Sequence, residues 1–469
     1  MFEADPTQWA TLIFGNARLG DPRRTRRLTK MAADMAARAD GSVAEAAVDP
    51  ASIEGAYRFI RNEVISPDTI ADAGFERTLA IASVRPLVLA LQDTTGLSYK
   101  HAVREELGEV NSASNKKASA KGRTLYAHST LMLDADNECV IGLANQYYWH
   151  REQKQTGKGH QLQCRERTKK ESYKWQRGME TLAGRVNDMS HIIDVCDREA
   201  DIYEYLAYQQ QHQHRFVVRA SDNRNVLDDE TSTGKLHDVL QALKPVACYQ
   251  VYVAQRGGRP ARTAHVALSY TQLTIKKPQR ANAEKTLTLN VVYCQEVDQD
   301  RKDPLQWILY TSEPLPDAAA ALRIVRFYEL RWRIEEFHRV WKSEGTKVED
   351  VRMQTRENLR RIAVVKAFIA VRLMQLKEVA QNREDAKAVS CECLLPSIAW
   401  RLLWRKTEKK AAFPTHPPSL YWAYYALARL GRWHNTARNG RVGTKALWSG
   451  WFTLMNYVES YELFHGLDL

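Results

Sequence analysis

Residues 322–342, LRIVRFYELRWRIEEFHRVWK, constrain the fold more than any other stretch of this chain. At about 100° per residue, Tyr328, Arg331, Glu335, Arg339 and Lys342 fall within roughly 80° of a helix wheel. Phe327, Leu330, Ile334, Phe337 and Trp341 form a separate apolar stripe. The pattern predicts one long helix that buries the stripe and presents a single carboxylate among three cations and a phenol. A solvated helix surface usually mixes charges as local pairs. A row of cations around one acid instead suits a phosphate backbone passing a metal-binding carboxylate.

Two other stretches carry an acid at the end of an apolar run. Residues 87–93 read LVLALQD, and residues 192–197 read IIDVCD. Each run predicts a buried strand, with Asp93 and Asp197 at the strand ends, where open α/β sheets hold ligands. Alternation puts Ile193, Val195 and Asp197 on one face. Asp194 then points the other way, while Glu199 and Asp201 read as charges at a helix start. An acid after a strand is more often a turn or capping residue, so neither stretch decides the matter alone. Together with Glu335, however, they supply what a two-metal phosphoryl-transfer site needs. Such carboxylates repel one another until a divalent cation arrives, and Mg²⁺ (two ions, with Mn²⁺ as substitute) suits oxygen ligands. Arg331, Arg339 and Lys342 would neutralise phosphates, with Tyr328 donating a hydrogen bond.

The rest of the chain fits an α/β enzyme on a polyanion. A length of 469 residues allows two or three domains. The net charge of +12 and a pI near 9.2 favour nucleic acid. The 7 cysteines make an odd number without a C-x2-C pair, which argues against a disulfide framework or a zinc site and for a reducing cytoplasm. Lys366 interrupts the best apolar run, VVKAFIAV, so no membrane span is expected. No Walker pattern is present, so no nucleotide cofactor is expected.

Residues 1–66 read as a helical unit, with Asp21 and Pro22 opening one basic helix and a second over 50–61. Ser66–Pro67 marks a boundary, and 67–378 form the α/β region. That region contains a polar loop at 108–123, a hairpin around 134–137, and a β-rich insertion at about 220–312 with a turn at Gly257–Gly258. Residues 379–469 form a helical third region. From 401 to 445 it holds ten Lys or Arg against the single acid Glu408, whereas from 446 onward it has neither Lys nor Arg.

The spacing Y-x2-R-x3-E-x6-K at Tyr328, Arg331, Glu335 and Lys342 resembles the signature of a branch of bacterial cut-and-paste insertion-sequence transposases. Their catalytic core is a ribonuclease-H-like DDE fold, and CDREADI matches the segment of their second catalytic Asp. The resemblance implies catalytic, metal-binding Asp93, Asp197 and Glu335, and an inserted β-subdomain. LGDPRRT and EGAYRFIRN resemble the segments that recognise the transposon end, which implies DNA contacts at Arg24, Arg27 and Arg58. It also implies DNA contacts at Arg219, Trp307, Arg352, Asn358 and Thr444, Trp307 packing where a base has flipped out. Gln354 stands where the family has an acid. The partners implied are transposon-end and target DNA and a second copy of the chain, paired through the C-terminal region. The reaction implied is nicking, hairpin formation, hairpin opening and strand transfer. A catalytically silent end-binding repressor and a free-standing metal-dependent nuclease remain open alternatives. The first would bind ends without cutting them, and the second would cut without end specificity and join nothing.

Overall fold

The computed structural model describes residues 3, 5–107, 123–151, 167–227, 233–253, 260–279, 281, 283–297, 304–381, 383–409, 411–434, 436 and 442–465. Nearly all of the polar loop at 108–123 and the Gly257–Gly258 turn lie outside these residues.

The chain begins with helices α1 (Pro6–Phe14), α2 (Pro22–Ala37), α3 (Val43–Ala46) and α4 (Pro50–Ile60). Three of them open on Asp–Pro. Asp5, Asp21 and Asp49 accept from Gln8 N (2.7 Å), Arg23 N (2.8 Å) and Ser52 N (2.7 Å), satisfying amides that the first turn leaves without partners. Proline at the first position has no amide to satisfy and a φ already set for a helix. Helix α5 (Pro67–Ala82) follows, capped by Ser66.

The described strands form one mixed sheet. β1 (Val88–Tyr99), β2 (Arg123–Asp134) and β3 (Val140–Trp149) run antiparallel, and β4 (Ile192–Cys196) and β5 (Arg215–Arg219) run parallel to β1. The order is β3-β2-β1-β4-β5 and continues through β11 (Gln306–Thr311), β10 (Thr286–Glu296), β9 (Arg262–Lys276), β6 (Asn225–Leu227) and β7 (Thr233–Lys235). β8 (Ala247–Val253) pairs with β9. The β-rich stretch after β5 therefore continues the same sheet, because β11 returns antiparallel beside β5 with Leu309 opposite Arg219.

Alternation along the central strands feeds two cores. Val88, Ala90, Ile192, Cys196, Phe216 and Val218 face helices α6 (Lys174–Ala183) and α7 (Tyr203–Gln211), with Trp175, Met179 and Leu206 between. Leu89, Leu91, Ile193, Val195 and Val217 face the helices that follow the sheet. α8 (Leu236–Gln241) follows β7. The expected single helix at 322–342 is instead α9 (Ala318–Leu330), α10 (Trp332–Arg339) and a π-helical turn at Val340–Glu344. The break has a backbone cause. Arg331 N bonds to Tyr328 O (3.2 Å) and Ile334 N to Arg331 O (3.1 Å), so the coil tightens to three-residue steps there. Ile334, Phe337 and Trp341 of the apolar stripe are fully buried.

The long helix α11 (Arg356–Gln381) joins the three sequence regions. Phe368 meets Phe14 of α1 (ring centroids 5.5 Å apart) and Phe75 of α5 (5.6 Å). Lys366, buried in the apolar run, donates to the carbonyls of Ala39 (3.2 Å), Gly41 (3.0 Å) and Thr346 (2.7 Å). Among the described residues no helix is long and apolar enough to cross a membrane. The chain ends in α12 (Arg383–Ala388), α13 (Ser397–Thr407), α14 (Leu420–Leu430) and α15 (Thr444–His465). Trp400, Leu427 and Trp448 join the same apolar core as the N-terminal helices.

Candidate active site

Sheet register brings two of the acids together. Leu91 lies beside Val195, and Val195 beside Val217. Two residues further along come Asp93 within β1, Asp197 just after β4 and Arg219 at the end of β5. Asp93 is not at a strand end as the sequence suggested, since β1 runs on to Tyr99 in antiparallel register with β2. Only its parallel pairing with β4 stops, at Leu91, and this opens the sheet beside Asp93. Asp197 directly follows β4, and its carboxylate caps the turn Arg198–Ala200 by accepting from Glu199 N (2.8 Å).

Glu335, in the first turn of α10, comes down onto this face beside Arg331. The Arg331 guanidinium is buried, donates from Nη2 to Glu335 Oε1, and has Nη1 3.9 Å from Asp93 Oδ2. It thus stands where a cation between the acids is needed. Asp93 feels the conflict most. Burial pushes its carboxyl up to about 7, Arg331 pulls it down, and the charges of Asp197 and Glu335 push it up. Among the described residues no three His, Cys, Asp or Glu side chains are gathered closely enough to hold a metal ion in this conformation. Asp93, Asp197 and Glu335 nevertheless come from separate elements and act on one another's charge, and oxygen donors of this kind suit a divalent cation.

Other predicted contacts divide into those facing this site and those spent on structure. Tyr328 is buried, with its ring 5.5 Å from Trp307 at a 68° angle and the Arg331 guanidinium 5.8 Å from its centre. Trp307, on β11, is half-buried and packs against the core. Lys342 donates to Gly96 O (2.7 Å) and lies 3.6 Å from Glu349, so it reaches β1 just past Asp93. Arg339 is exposed, its guanidinium 6.0 Å from the centre of the Trp332 ring. Arg219 donates to Gln306 O (3.3 Å). Arg352 is exposed, whereas Asn358 Oδ1 accepts from Arg361 (2.8 Å).

In the N-terminal helices, Arg24 is committed to Leu19 O (2.9 Å), and the Arg27 guanidinium lies against Gly55. Arg58 is exposed and pairs with Glu54 (3.3 Å), and Arg23 and Arg26 of α2 are exposed as well. Thr444 is the first residue of α15, and its side chain lies outside the described residues.

Three further titratable side chains lie close to the acids. His338 Nδ1 lies 3.7 Å from Asp93 Oδ2, and burial, aided by Lys342 and Arg331, lowers the imidazole to about 3, so it is neutral. Asp201 is not a helix-start charge, because it is buried in an ion pair with Arg224 (2.5 Å). Asp194 is fully buried on the far side of the sheet. The alternation in IIDVCD signals that last position, but not its partners.

The site thus combines an acid within β1, one just after β4 and a third on the helix above, beside a buried guanidinium. Residues 6–65 match the family described as "Transposase DNA-binding", and residues 175–372 match "Transposase DDE domain". These two matches support a DNA transposase, an enzyme acting on DNA. The first match contains Arg24, Arg27 and Arg58. The second contains Asp197 and Glu335 and begins after Asp93. Transposases of the DDE class generally use divalent metal ions.

Proposed function

We propose that this chain is a cut-and-paste transposase of the insertion-sequence type, similar in kind to the transposase of the composite kanamycin-resistance transposon. Its core is read as ribonuclease-H-like, on the strand order β3-β2-β1-β4-β5 with three antiparallel strands followed by two parallel ones. The β-rich stretch of about 220–312 is the insertion, residues 1–66 bind transposon ends, and 379–469 pair two copies. The active assembly is a dimer in the cytoplasm holding two ends, which are nicked, closed as hairpins, opened and joined to target DNA.

Asp93, Asp197 and Glu335 would hold Mg²⁺, which when bound supplies an activated water or 3′-hydroxyl and a stabilised leaving oxygen. The chain's own groups do the rest. Arg331 moves from Glu335 toward a backbone phosphate as DNA arrives. Lys342 and Arg339 fix the DNA path along the helix, and Tyr328 and Trp307 form an aromatic wall beside it. Neutral His338 fills the space behind Asp93.

The observation that carries this reading is the meeting of three acids at Arg331: it bonds Glu335 and lies 3.9 Å from Asp93, and Asp93 feels the charges of both Glu335 and Asp197. The test uses DNA that carries the coding region with its native flanks. Asp93→Ala, Asp197→Ala and Glu335→Ala should each abolish Mg²⁺-dependent cleavage while leaving end binding intact. Normal cleavage by any one of them refutes the assignment, and cleavage without joined products favours the nuclease.

A further inference from the structure

Behind the acids, on the opposite face of the sheet, runs a buried chain of hydrogen bonds with no cation in it. Thr94 Oγ1 and His128 Nδ1 are 2.9 Å apart, and His128 Nε2 and Gln92 Oε1 are also 2.9 Å apart. Gln92 Nε2 donates to Asp194 Oδ1 (2.7 Å). The other carboxylate oxygen of Asp194 accepts from Tyr205 (2.5 Å), Gln209 (3.0 Å) and Cys196 (3.2 Å). Gln209 in turn reaches His214 (3.0 Å). Gln92, Asp194 and Gln209 have no exposed surface at all.

A buried carboxylate held only by neutral donors is costly, and burial does push Asp194 up to about 6. Simple packing would have used an apolar residue here. The positions of the partners point to a reason. Gln92 and Thr94 are the immediate neighbours of Asp93 on β1, His128 sits opposite Thr94 on β2, and Asp194 and Cys196 are the last inward-facing residues of β4 before Asp197. The network therefore clamps β2, β1 and β4 at the level where both acids emerge. Helix α6 closes it, since a Cβ on Gly178 would lie 2.2 Å from Gln92 Oε1.

We propose that Asp194, Gln92, His128 and Thr94 are positioning residues that hold Asp93 and Asp197 abreast for a shared cation. This rests on the reading of those two acids as metal ligands. A network that fixes the ligand-bearing strands acts like the outer hydrogen bonds of other metal sites, whose loss weakens the metal site by about ten- to a hundredfold.

Hydrogen exchange on the full chain tests the inference. Asp194→Asn keeps the shape but turns an amide donor toward groups that already donate. Thr94→Val deletes a single hydrogen bond at the other end, and serves as the readout if the first variant does not fold. Each variant should speed exchange in peptides spanning 91–96 and 193–198 by at least about tenfold, with α2 and α15 unchanged. The Mg²⁺ concentration needed for half-maximal cleavage should rise by about ten- to a hundredfold, at unchanged DNA affinity. Exchange that quickens uniformly over the whole chain, or an unchanged Mg²⁺ requirement, overturns the proposal. Failure of the underlying reading is separately visible, as cleavage retained by Asp93→Ala, and it leaves the exchange result standing.

Discussion

Replacing Asp93 by Asn should make the DNA-free protein more stable, and increasingly so as pH rises. The folded-state carboxyl lies at about 7 against an ordinary 3.8. An acid raised on folding contributes stability that is fully present below its unfolded pKa and is lost as pH rises through the folded one. Between about pH 4 and 7 the unfolded chain gives up this proton while the folded chain keeps it. The shift of roughly three units corresponds to about 4 kcal/mol, an upper bound on what ionised Asp93 costs the fold above pH 7. Asn mimics the protonated carboxyl and never incurs that cost. Urea unfolding followed by tryptophan fluorescence should give wild type and Asp93→Asn equal stability near pH 3.5, with the variant ahead by up to about 4 kcal/mol at pH 8.5. Added Mg²⁺ should narrow the gap by stabilising only the wild type. A difference that does not vary with pH, or a variant less stable at pH 8.5, would refute the electrostatic account of the site.

Further outcomes follow from how individual cations are used. Arg339→Ala removes an exposed charge, so stability should change by no more than about 0.5 kcal/mol, while the salt dependence of DNA binding should flatten by about one unit of slope. Arg58→Ala should weaken DNA binding alone, whereas Arg24→Ala should also cost about 1 kcal/mol of stability through its lost bond to Leu19 O; comparing melting curves with binding isotherms separates the two. Phe368→Ala should destabilise by about 3–5 kcal/mol and loosen α1 and α5 together, readable as faster exchange in both helices.

Much of this fold is legible in the chain because local signals agree with the packing. Asp21–Pro22 and Ser66–Pro67 start helices where capping chemistry says they should. The hairpin of β2 and β3 follows from two alternating runs around Asp134, whose side chain accepts from Asp136 N (3.0 Å) and Asn137 N (3.2 Å). The wheel over 322–342 gives the buried stripe correctly but misses the tightened step at Arg331. A regular 3.6-residue period cannot register a backbone that departs from it for one residue. The extent of β1 was hidden for a similar reason: apart from Leu97, Gln92 to Ser98 are polar or small, so the strand shows no apolar run there. The least legible feature is Asp194. Sequence places it on the far face, yet the donors that let an acid be tolerated there include Gln92, Tyr205 and Gln209, which come from another strand and a helix.

The most direct test of the central claim is to locate Mn²⁺ by its anomalous scattering in crystals of the protein bound to its end DNA. The account predicts manganese contacted by Asp93, Asp197 and Glu335 together, with Arg331 turned from Glu335 onto a phosphate. Manganese held without Glu335, with the Arg331–Glu335 pair intact beside bound DNA, would contradict it.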